Sequence, residues 1–378
     1  MVNVQVLLAA LAGLCLGFIV AGPTFYSSHG ADSGLRSRTT LSGSTGIKQA
    51  PAATAAGAGP TLPAAAMSSP APGTHHPIVF LQNTRIGKQG FASYLKYTIS
   101  AACRLNPEKQ LLFFLSEQSH KQVPSLTPCS NIQLVSIESE LAALQNDARF
   151  QEFSSVYKPM IGRNHGQVPW VRFLFDRFFI MRNYLLRHPN ITSYWTFDSD
   201  FLVMDSLQRH EHKYTDRLVD TTAQCNGKCV NGFVANAAHV LDLYTADMIS
   251  LFKDAKLLNE IKATHEVHPE YALTEMYAFW RTRRVHPELN VLDLSRPIDG
   301  EMFDHAWAQV LGPENVPEYT WSKEGDHKLM RVNTTTRTVY VQWQPTGEWI
   351  RAIGINTSWR PGDFVKKLYE FIFEGKWA

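Results

Sequence analysis

The chain has 378 residues, of which 44% are hydrophobic and 19% charged, which is enough for one large domain or two smaller ones. Its 36 lysines and arginines nearly balance its 34 acidic residues, and the net charge of +2 argues against the strongly basic surface of a nucleic-acid-binding protein. Five cysteines are too few for a disulfide scaffold, although Cys225 and Cys229 enclose an Asn-Gly turn and could close a small disulfide loop.

Residues 1–22 are predicted to form an N-terminal signal anchor. The stretch from Val4 to Gly22 carries no charge and is near the shortest length that spans a membrane. A cleaved signal peptide is the alternative, but Ile19 to Pro23 lacks a small-x-small cleavage site, which favours the anchor. The basic residues between Arg36 and Lys48 weigh against a cytoplasmic N-terminus under the positive-inside rule.

Residues 23–76 are predicted to be a flexible stem that precedes a globular domain over 77–378. The stem is rich in Ala, Gly, Ser, Thr and Pro, and such a segment buries too little apolar surface to offset its ordering entropy. Glycosylation sequons begin at Asn190, Asn333 and Asn356, and they are usable only in a secretory lumen. These features favour a type II membrane protein with a luminal head.

The first part of the globular domain alternates strand and helix patterns. Such alternation indicates a parallel sheet in an α/β fold. The predicted elements are strands at Pro77–Asn83, Gln110–Leu115 and Ile132–Ile137, and helices at Phe91–Leu105 and Trp170–His188.

The helix that ends at His188 leads into the most distinctive stretch of the chain, the aromatic-rich run from Ser193 to Met204. This run is typical of a buried strand, yet it contains Asp198 and Asp200. Uncompensated buried carboxylates are costly, so a hard divalent cation is the simplest partner for them. The alternative is a strand that ends at an Asp-Ser-Asp turn, although the apolar flanks on both sides argue against it.

Beyond this run the pattern is mixed and no internal repeat is visible. The predicted elements are strands at Val230–Asn236 and Arg337–Trp343, and helices at Val240–Phe252, Pro269–Arg281 and Asp363–Phe373.

Taken together, residues 77 to about 350 resemble a glycosyltransferase of the GT-A type, a nucleotide-sugar-binding α/β domain with a mostly parallel central sheet flanked by helices. The resemblance rests on a small set of segments. They are Gln82-Asn83-Thr84 after the first strand, the helix ending at His188 before Thr196-Phe197-Asp198-Ser199-Asp200, the later Thr274-Glu275-Met276, and Ser295 to His305.

The resemblance implies that the Asp-x-Asp motif binds Mn²⁺ or Mg²⁺ and, through it, the donor diphosphate. Asp200 would then be a direct metal ligand, and Asp198 would contact the donor ribose or the metal through water. Many such enzymes add a late histidine ligand, and Gln342 stands at that position here. An amide oxygen can bind a hard cation, and His305 or His327 could substitute for it.

Further polar residues near these segments are candidates for the site, and ordinary structural roles are the alternative for each. Arg172 could reach the diphosphate or simply face solvent. Asn83 and Arg85 would dock the donor base or ribose, or be loop residues. Glu275 is the candidate general base, although most helix glutamates lie on the surface. Asn231 and Gly232 are candidates for the acceptor site.

The leading hypothesis is a metal-dependent glycosyltransferase, single-pass in the Golgi membrane, that moves a hexose or pentose from a nucleotide diphosphate sugar to a glycan or glycoprotein. An inactive luminal lectin or scaffold with the same fold is the alternative, favoured only by Gln342. A phosphate-cleaving metalloenzyme would need a second cluster of metal ligands, and none with convincing spacing is visible.

Overall fold

The computed structural model describes residues 76–86, 91–125, 129–163, 167–224, 227–269, 272–294, 296–304, 330–343, 345–357 and 363–377. The predicted signal anchor, the stem up to residue 75, Cys225, His305 and His327 lie outside these ranges. Within the described ranges, no helix is both long and apolar enough to cross a membrane.

The core of the fold is a seven-stranded sheet in the order β3-β2-β1-β4-β7-β6-β8. Only β7 runs against the others, since it pairs antiparallel with β4 and β6 while every other pairing is parallel. This confirms the prediction of a mostly parallel central sheet. The strands are β1 Ile78–Gln82, β2 Leu111–Leu115, β3 Ile132–Ser136, β4 Tyr194–Thr196, β6 Thr221–Gln224, β7 Cys229–Val234 and β8 Val291–Asp293.

Helices cover both faces of this sheet, because side chains along β1 alternate between two hydrophobic clusters. Val79 packs with apolar residues of α4, α6 and α8, whereas Ile78 and Phe80 pack with residues of α1. The helices are α1 Leu95–Leu105, α2 Ile137–Leu144, α3 Ala148–Val156, α4 Val168–Arg187, α5 His212–Thr215, α6 Ala237–Lys253, α7 Ala255–Val267, α8 Glu275–Val285 and α9 Asp363–Glu374.

A second, five-stranded sheet packs against α9. Four strands follow the antiparallel order β10-β11-β12-β5, and β9 pairs parallel with β12. The strands are β5 Phe201–Val203, β9 Glu301–Asp304, β10 Met330–Asn333, β11 Thr338–Gln342 and β12 Trp349–Asn356.

Two predicted elements differ from the structure. The single strand expected between Ser193 and Met204 is two strands in two sheets, because a turn closed by the Phe201 N–H and the Asp198 carbonyl interrupts it. The helix expected from Pro269 begins only at Glu275, since the preceding residues hydrogen-bond to the loop that precedes α4.

The described residues contain one disulfide that the sequence analysis did not name. Cys103 of α1 is bonded to Cys129, which the sequence did not pair. Cys229 is disulfide-bonded as well, while its suggested partner Cys225 lies outside the described residues.

Candidate functional site

The Asp198-Ser199-Asp200 turn lies where the direction of strand addition in the main sheet reverses. From β1 the chain adds β2 and then β3 on one side, whereas β4 lies on the other side. In open α/β sheets ligands bind outside the carboxyl ends of the strands at such a switch point. The segment from Asn83 to Arg85 leaves β1 there, and the turn leaves β4 beside it.

Three sets of hydrogen bonds hold this turn in place. The Ser199 hydroxyl donates to Gln82 Oε1 at 2.6 Å, and the Thr98 hydroxyl donates to the Ser199 carbonyl at 2.8 Å. The Asp200 carbonyl accepts the N–H of Thr357 at 3.0 Å and its hydroxyl at 2.5 Å. The turn is therefore fixed to β1, to α1 and to the end of β12, while its two aspartates stay partly exposed.

Arg177 of α4 joins the turn to a second carboxylate. Its Nη1 donates to Asp198 Oδ1 at 2.9 Å and its Nη2 donates to Glu275 Oε1 at 2.8 Å. The side chain of Arg177 is 19% exposed and that of Glu275 is 4% exposed, whereas that of Asp198 is 40% exposed. The bridge therefore runs from a cleft into the protein interior.

Sequence reasoning missed Arg177, although a signal was present. Leu174, Arg177 and Met181 are separated by three and four residues, so they share one face of α4, and the two apolar residues are buried. A cation placed among core residues of an amphipathic helix needs a buried anionic partner. The sequence does not reveal that this partner lies 98 residues away.

Glu275 is the first residue of α8, where a carboxylate interacts favourably with the helix dipole. Burial raises its pKa to about 7, and the nearby Asp198 charge raises it as well, while Arg177 opposes both effects. Its Oε2 and the Nε of Arg177 are buried without a hydrogen-bond partner. The structure thus brings Glu275 to the site through Arg177, and its role as a general base stays a prediction.

Asn231 and Gly232 of β7 lie beside the same turn. Gly232 is directly opposite Thr196 of β4, and Asn231 lines a cleft that also contacts Arg177 and Asp198. Gly232 has a φ of +92°, and a Cβ there would lie 2.3 Å from Leu294 Cδ1, so a larger residue would strain the backbone and require the neighbouring side chains to shift. The structure therefore brings both candidates to Asp198, and their acceptor role stays a prediction.

Asn83 and Arg85 also lie at the switch point. The buried Asn83 accepts hydrogen bonds at 3.1 Å from the Ser116 hydroxyl and from the Arg85 N–H. The Arg85 guanidinium is 56% exposed and pairs with Glu138 at 2.9 Å. Asn83 is thus held inside the loop after β1, while Arg85 has an exposed cation at its edge.

The structure does not bring Arg172 to the turn. Arg172 and Arg177 are five residues apart on α4 and point about 140° away from each other. Arg172 instead donates to Asp176 at 2.6 Å and lies over the rings of Phe150, Phe153 and Tyr157. Burial raises the pKa of Asp176 to about 6, although Arg172 lowers it. Arg172 therefore fastens α3 to α4.

Gln342 is also separated from the aspartates, which corrects the expectation of a shared metal site. It pairs with Trp349 at the start of β12, whereas Phe201, next to Asp200, pairs with Asn356 at the end. Those β12 residues are seven positions apart, which corresponds to about 23 Å of strand. The Gln342 amide instead donates to the Gly347 carbonyl at 3.2 Å.

Asp198 and Asp200 suit a divalent cation without Gln342. Mg²⁺ and similar ions are usually held by one or two carboxylates together with substrate phosphates. Among the described residues, no group of three or more His, Cys, Asp or Glu could hold a metal by itself. The donor set therefore fits an ion that is completed by a phosphate ligand better than a closed structural metal site.

Comparisons with known proteins give distant structural neighbours. No protein-family model matches the chain, and no curated protein sequence matches it. The chain is similar to the apo crystal structure of mouse xyloside xylosyltransferase 1, with 13% identity, a TM-score of 0.39, and 58% of this chain and 86% of that chain covered. It is also similar to the PaToxG glycosyltransferase, with 11% identity, a TM-score of 0.28, and 56% and 85% covered. These values are too low for the likeness to bear on function.

Proposed function

We propose that this protein is a metal-dependent glycosyltransferase that uses a nucleotide diphosphate sugar. The single observation that carries the proposal is the position of the Asp198-Ser199-Asp200 turn. Two partly exposed carboxylates stand at the carboxyl end of β4, beside the end of β1, where α/β sheets bind ligands. Oxygen ligands of this number suit Mn²⁺ or Mg²⁺ shared with a diphosphate.

The chemistry of sugar transfer would require a cation where Asp198 and Asp200 stand. Negative charge builds on the departing nucleoside diphosphate, and a divalent cation supplies Lewis-acid stabilisation of that charge when bound. Asp198 and Asp200 would hold the ion, and their backbone is already fixed by Gln82, Thr98 and Thr357. Such fixed geometry lowers the reorganisation needed at the moment of reaction.

Arg177 fits this proposal as a group that orients Asp198. Its two nitrogens bind one oxygen of Asp198 and one of Glu275, so the guanidinium keeps a partner on either side. With Asp198 and Glu275 both ionised, the bridge carries one more negative than positive charge, which favours a cation beside Asp198.

The acceptor would be a glycan or glycoprotein that reaches the cleft beside Asn231 and Gly232. We propose that the reaction takes place in the lumen of the Golgi, with the chain anchored through residues 1–22. The disulfide between Cys103 and Cys129 supports an oxidising compartment, where such bonds persist.

The test is turnover of a panel of nucleotide sugars by the full chain, with Mn²⁺ and with a chelator. We expect hydrolysis or transfer with one donor class, and a loss of roughly 100-fold or more in Asp198→Asn and Asp200→Asn. Asp216→Asn removes an exposed carboxylate from the short α5 region and is the matched control. Equal activity in Asp200→Asn and the control would overturn the proposal.

The panel also separates the other function classes. Mn²⁺-dependent binding of nucleotide sugars without turnover of any donor would favour the inactive lectin or scaffold. Release of inorganic phosphate in place of free sugar would favour a phosphate-cleaving enzyme.

A further inference from the structure

The three glycosylation sequons lie in different structural settings. Asn190 and Asn333 are exposed, whereas Asn356 is only 5% exposed. We propose that Asn190 and Asn333 are N-glycosylated in the folded protein and that Asn356 is not. The inference rests on the proposed luminal location, because the modifying machinery acts there.

Asn333 ends β10 at an exposed hairpin turn. Its Oδ1 accepts the N–H groups of Thr335 and Thr336, each at 3.0 Å, which is the hydrogen-bonding pattern of an Asx turn. These bonds use the carbonyl oxygen of the side chain and leave its amide nitrogen pointing to the other side. Thr335, the third residue of the sequon, is exposed as well. Both side chains that the modification requires are therefore accessible together.

Asn190 lies in the short connection between α4 and β4. The backbone on either side of it is fixed, since the Ile191 N–H bonds to the His188 carbonyl and the Thr192 carbonyl accepts the Ala237 N–H, each at 3.0 Å. The side chains of Asn190 and Thr192 are exposed. This connection enters the amino end of β4, so a glycan there lies at the sheet edge opposite Asp198.

Asn356, in contrast to the other two asparagines, is buried. It is the last residue of β12, where it pairs with Phe201, and the following Thr357 binds the Asp200 carbonyl. A glycan on a buried side chain at this position would have to separate β12 from β5 and release the Asp198–Asp200 turn. A folded, functional chain is therefore unmodified at this sequon.

The chemistry requires one co-reactant, a lipid-diphosphate-linked oligosaccharide. The asparagine amide nitrogen replaces the diphosphate oxygen on the anomeric carbon. The carbon–oxygen bond breaks, a carbon–nitrogen bond forms, the amide loses one proton, and the lipid diphosphate leaves.

The experiment expresses the full chain in secretory cells and compares its gel mobility and peptide masses before and after enzymatic removal of N-glycans. Thr192→Ala, Thr335→Ala and Ser358→Ala each destroy one sequon and keep its asparagine, so Asn356 and the Asn333 turn are retained. Thr334→Ala preserves the Asn333 sequon and is the matched control. A second arm places a cleavable secretory signal before the same chain, which ensures delivery to the lumen.

We expect two glycans on the wild type, one each on Thr192→Ala and Thr335→Ala, and two on Ser358→Ala and Thr334→Ala. A glycan lost in Ser358→Ala, or none at Asn190 or Asn333 in the signal-directed arm, would overturn the assignment. Glycans that appear only in the signal-directed arm would support the assignment and contradict the luminal location of the natural chain. Donor turnover, measured on the same preparations after glycan removal, reports on the proposed catalytic function independently.

Discussion

Two clusters in this protein are built from similar parts and differ in how completely their charges are satisfied. The Arg177 cluster consists of Arg177, Asp198 and Glu275, and the arginine bridges the two carboxylates. In the second cluster, Arg351 likewise bridges Asp205 and Glu301, at 2.6 and 2.8 Å.

The second cluster also contains His210 and Lys213, and it is called the His210 cluster below. The two ring nitrogens of His210 lie 3.2 Å from Asp205 and 3.1 Å from Glu301, and Lys213 binds Glu301. Burial pushes the pKa of both carboxyls upward, but hydrogen bonds from His210 and Lys213 and the Arg351 charge outweigh it, and both pKa values are lowered. None of these five side chains has a buried polar atom without a partner within the described ranges.

In the Arg177 cluster, in contrast, the charges and hydrogen-bonding groups are not fully paired. One cation serves two carboxylates, the pKa of Glu275 is raised to about 7, and Glu275 Oε2 and Arg177 Nε are buried without partners. Unsatisfied polar groups next to a cleft indicate a functional site, whereas a fully satisfied network indicates a structural role. This contrast supports our proposal that the Arg177 cluster, and not the His210 cluster, meets a further ligand.

Removing one carboxylate from each cluster should give the largest difference in stability between the two. Asp205 has a side chain only 10% exposed, and Asp205→Ala leaves Arg351 and His210 without a carboxylate that both use. We expect a loss of about 3 kcal/mol in the free energy of unfolding. Asp198→Ala should cost less than about 1 kcal/mol, because the Asp198 side chain is 40% exposed and its ion pair is screened by solvent. Urea unfolding of both variants measures this, and equal losses would remove the distinction.

The pH dependence of stability should have opposite signs in the two clusters. The folded-state pKa of Glu275 is raised from 4.5 to about 7, so its ionisation destabilises the fold as pH rises between those values, by up to about 3 kcal/mol. Glu301 has a lowered pKa, so its contribution is present above its unfolded value of 4.5 and is lost as pH falls through its folded value. Glu275→Gln should therefore flatten the profile between pH 4.5 and 7, and Glu301→Gln should flatten it below that range.

Urea unfolding of the wild type and both variants at a series of pH values measures how the free energy of unfolding changes with pH. Asp176→Asn is a useful comparison, because the pKa of Asp176 is raised to about 6 by burial outside the Arg177 cluster and should produce a smaller change of the same sign. A Glu275→Gln profile parallel to that of the wild type would show that Glu275 ionises normally.

Substituting Arg172 and Arg177, two of the arginines of α4, should separate an effect on stability from an effect on donor binding. Arg172→Met removes contacts with Asp176 and three aromatic rings, and we expect a stability loss of about 2 kcal/mol with unchanged donor affinity. Arg177→Met should weaken Mn²⁺-dependent nucleotide binding at least about tenfold, since Asp198 loses the group that orients it. Calorimetric titration of both variants tests this, and the reverse pattern would reassign the diphosphate contact to Arg172.

The smallest expected effect is at Gln342. Because about 23 Å of β12 separates its position from that of Asp200, Gln342→Ala should leave the Mn²⁺ affinity unchanged and alter stability by no more than about 0.5 kcal/mol. A weaker Mn²⁺ affinity in this variant would place Gln342 at the metal after all.

The sequence predicted the features that depend on local pattern. The strand β1 and the helix α4 follow from short-range periodicity of apolar residues. It did not predict contacts between distant segments. Arg177 meets Glu275 across 98 residues, and the place of Gln342 depends on the register of the β11–β12 hairpin. The strand expected over Asp198 failed for a similar reason, since β5 leaves the main sheet to pair with β12.

Calorimetric titration of nucleoside diphosphates into the full chain, with and without Mn²⁺, tests directly whether the Asp198–Asp200 turn holds a cation. We predict Mn²⁺-dependent binding to the wild type and to Gln342→Ala, and affinity at least about tenfold weaker in Asp200→Asn. Equal affinity in Asp200→Asn and the wild type, or binding that does not depend on Mn²⁺, would contradict a cation site at the Asp198–Asp200 turn.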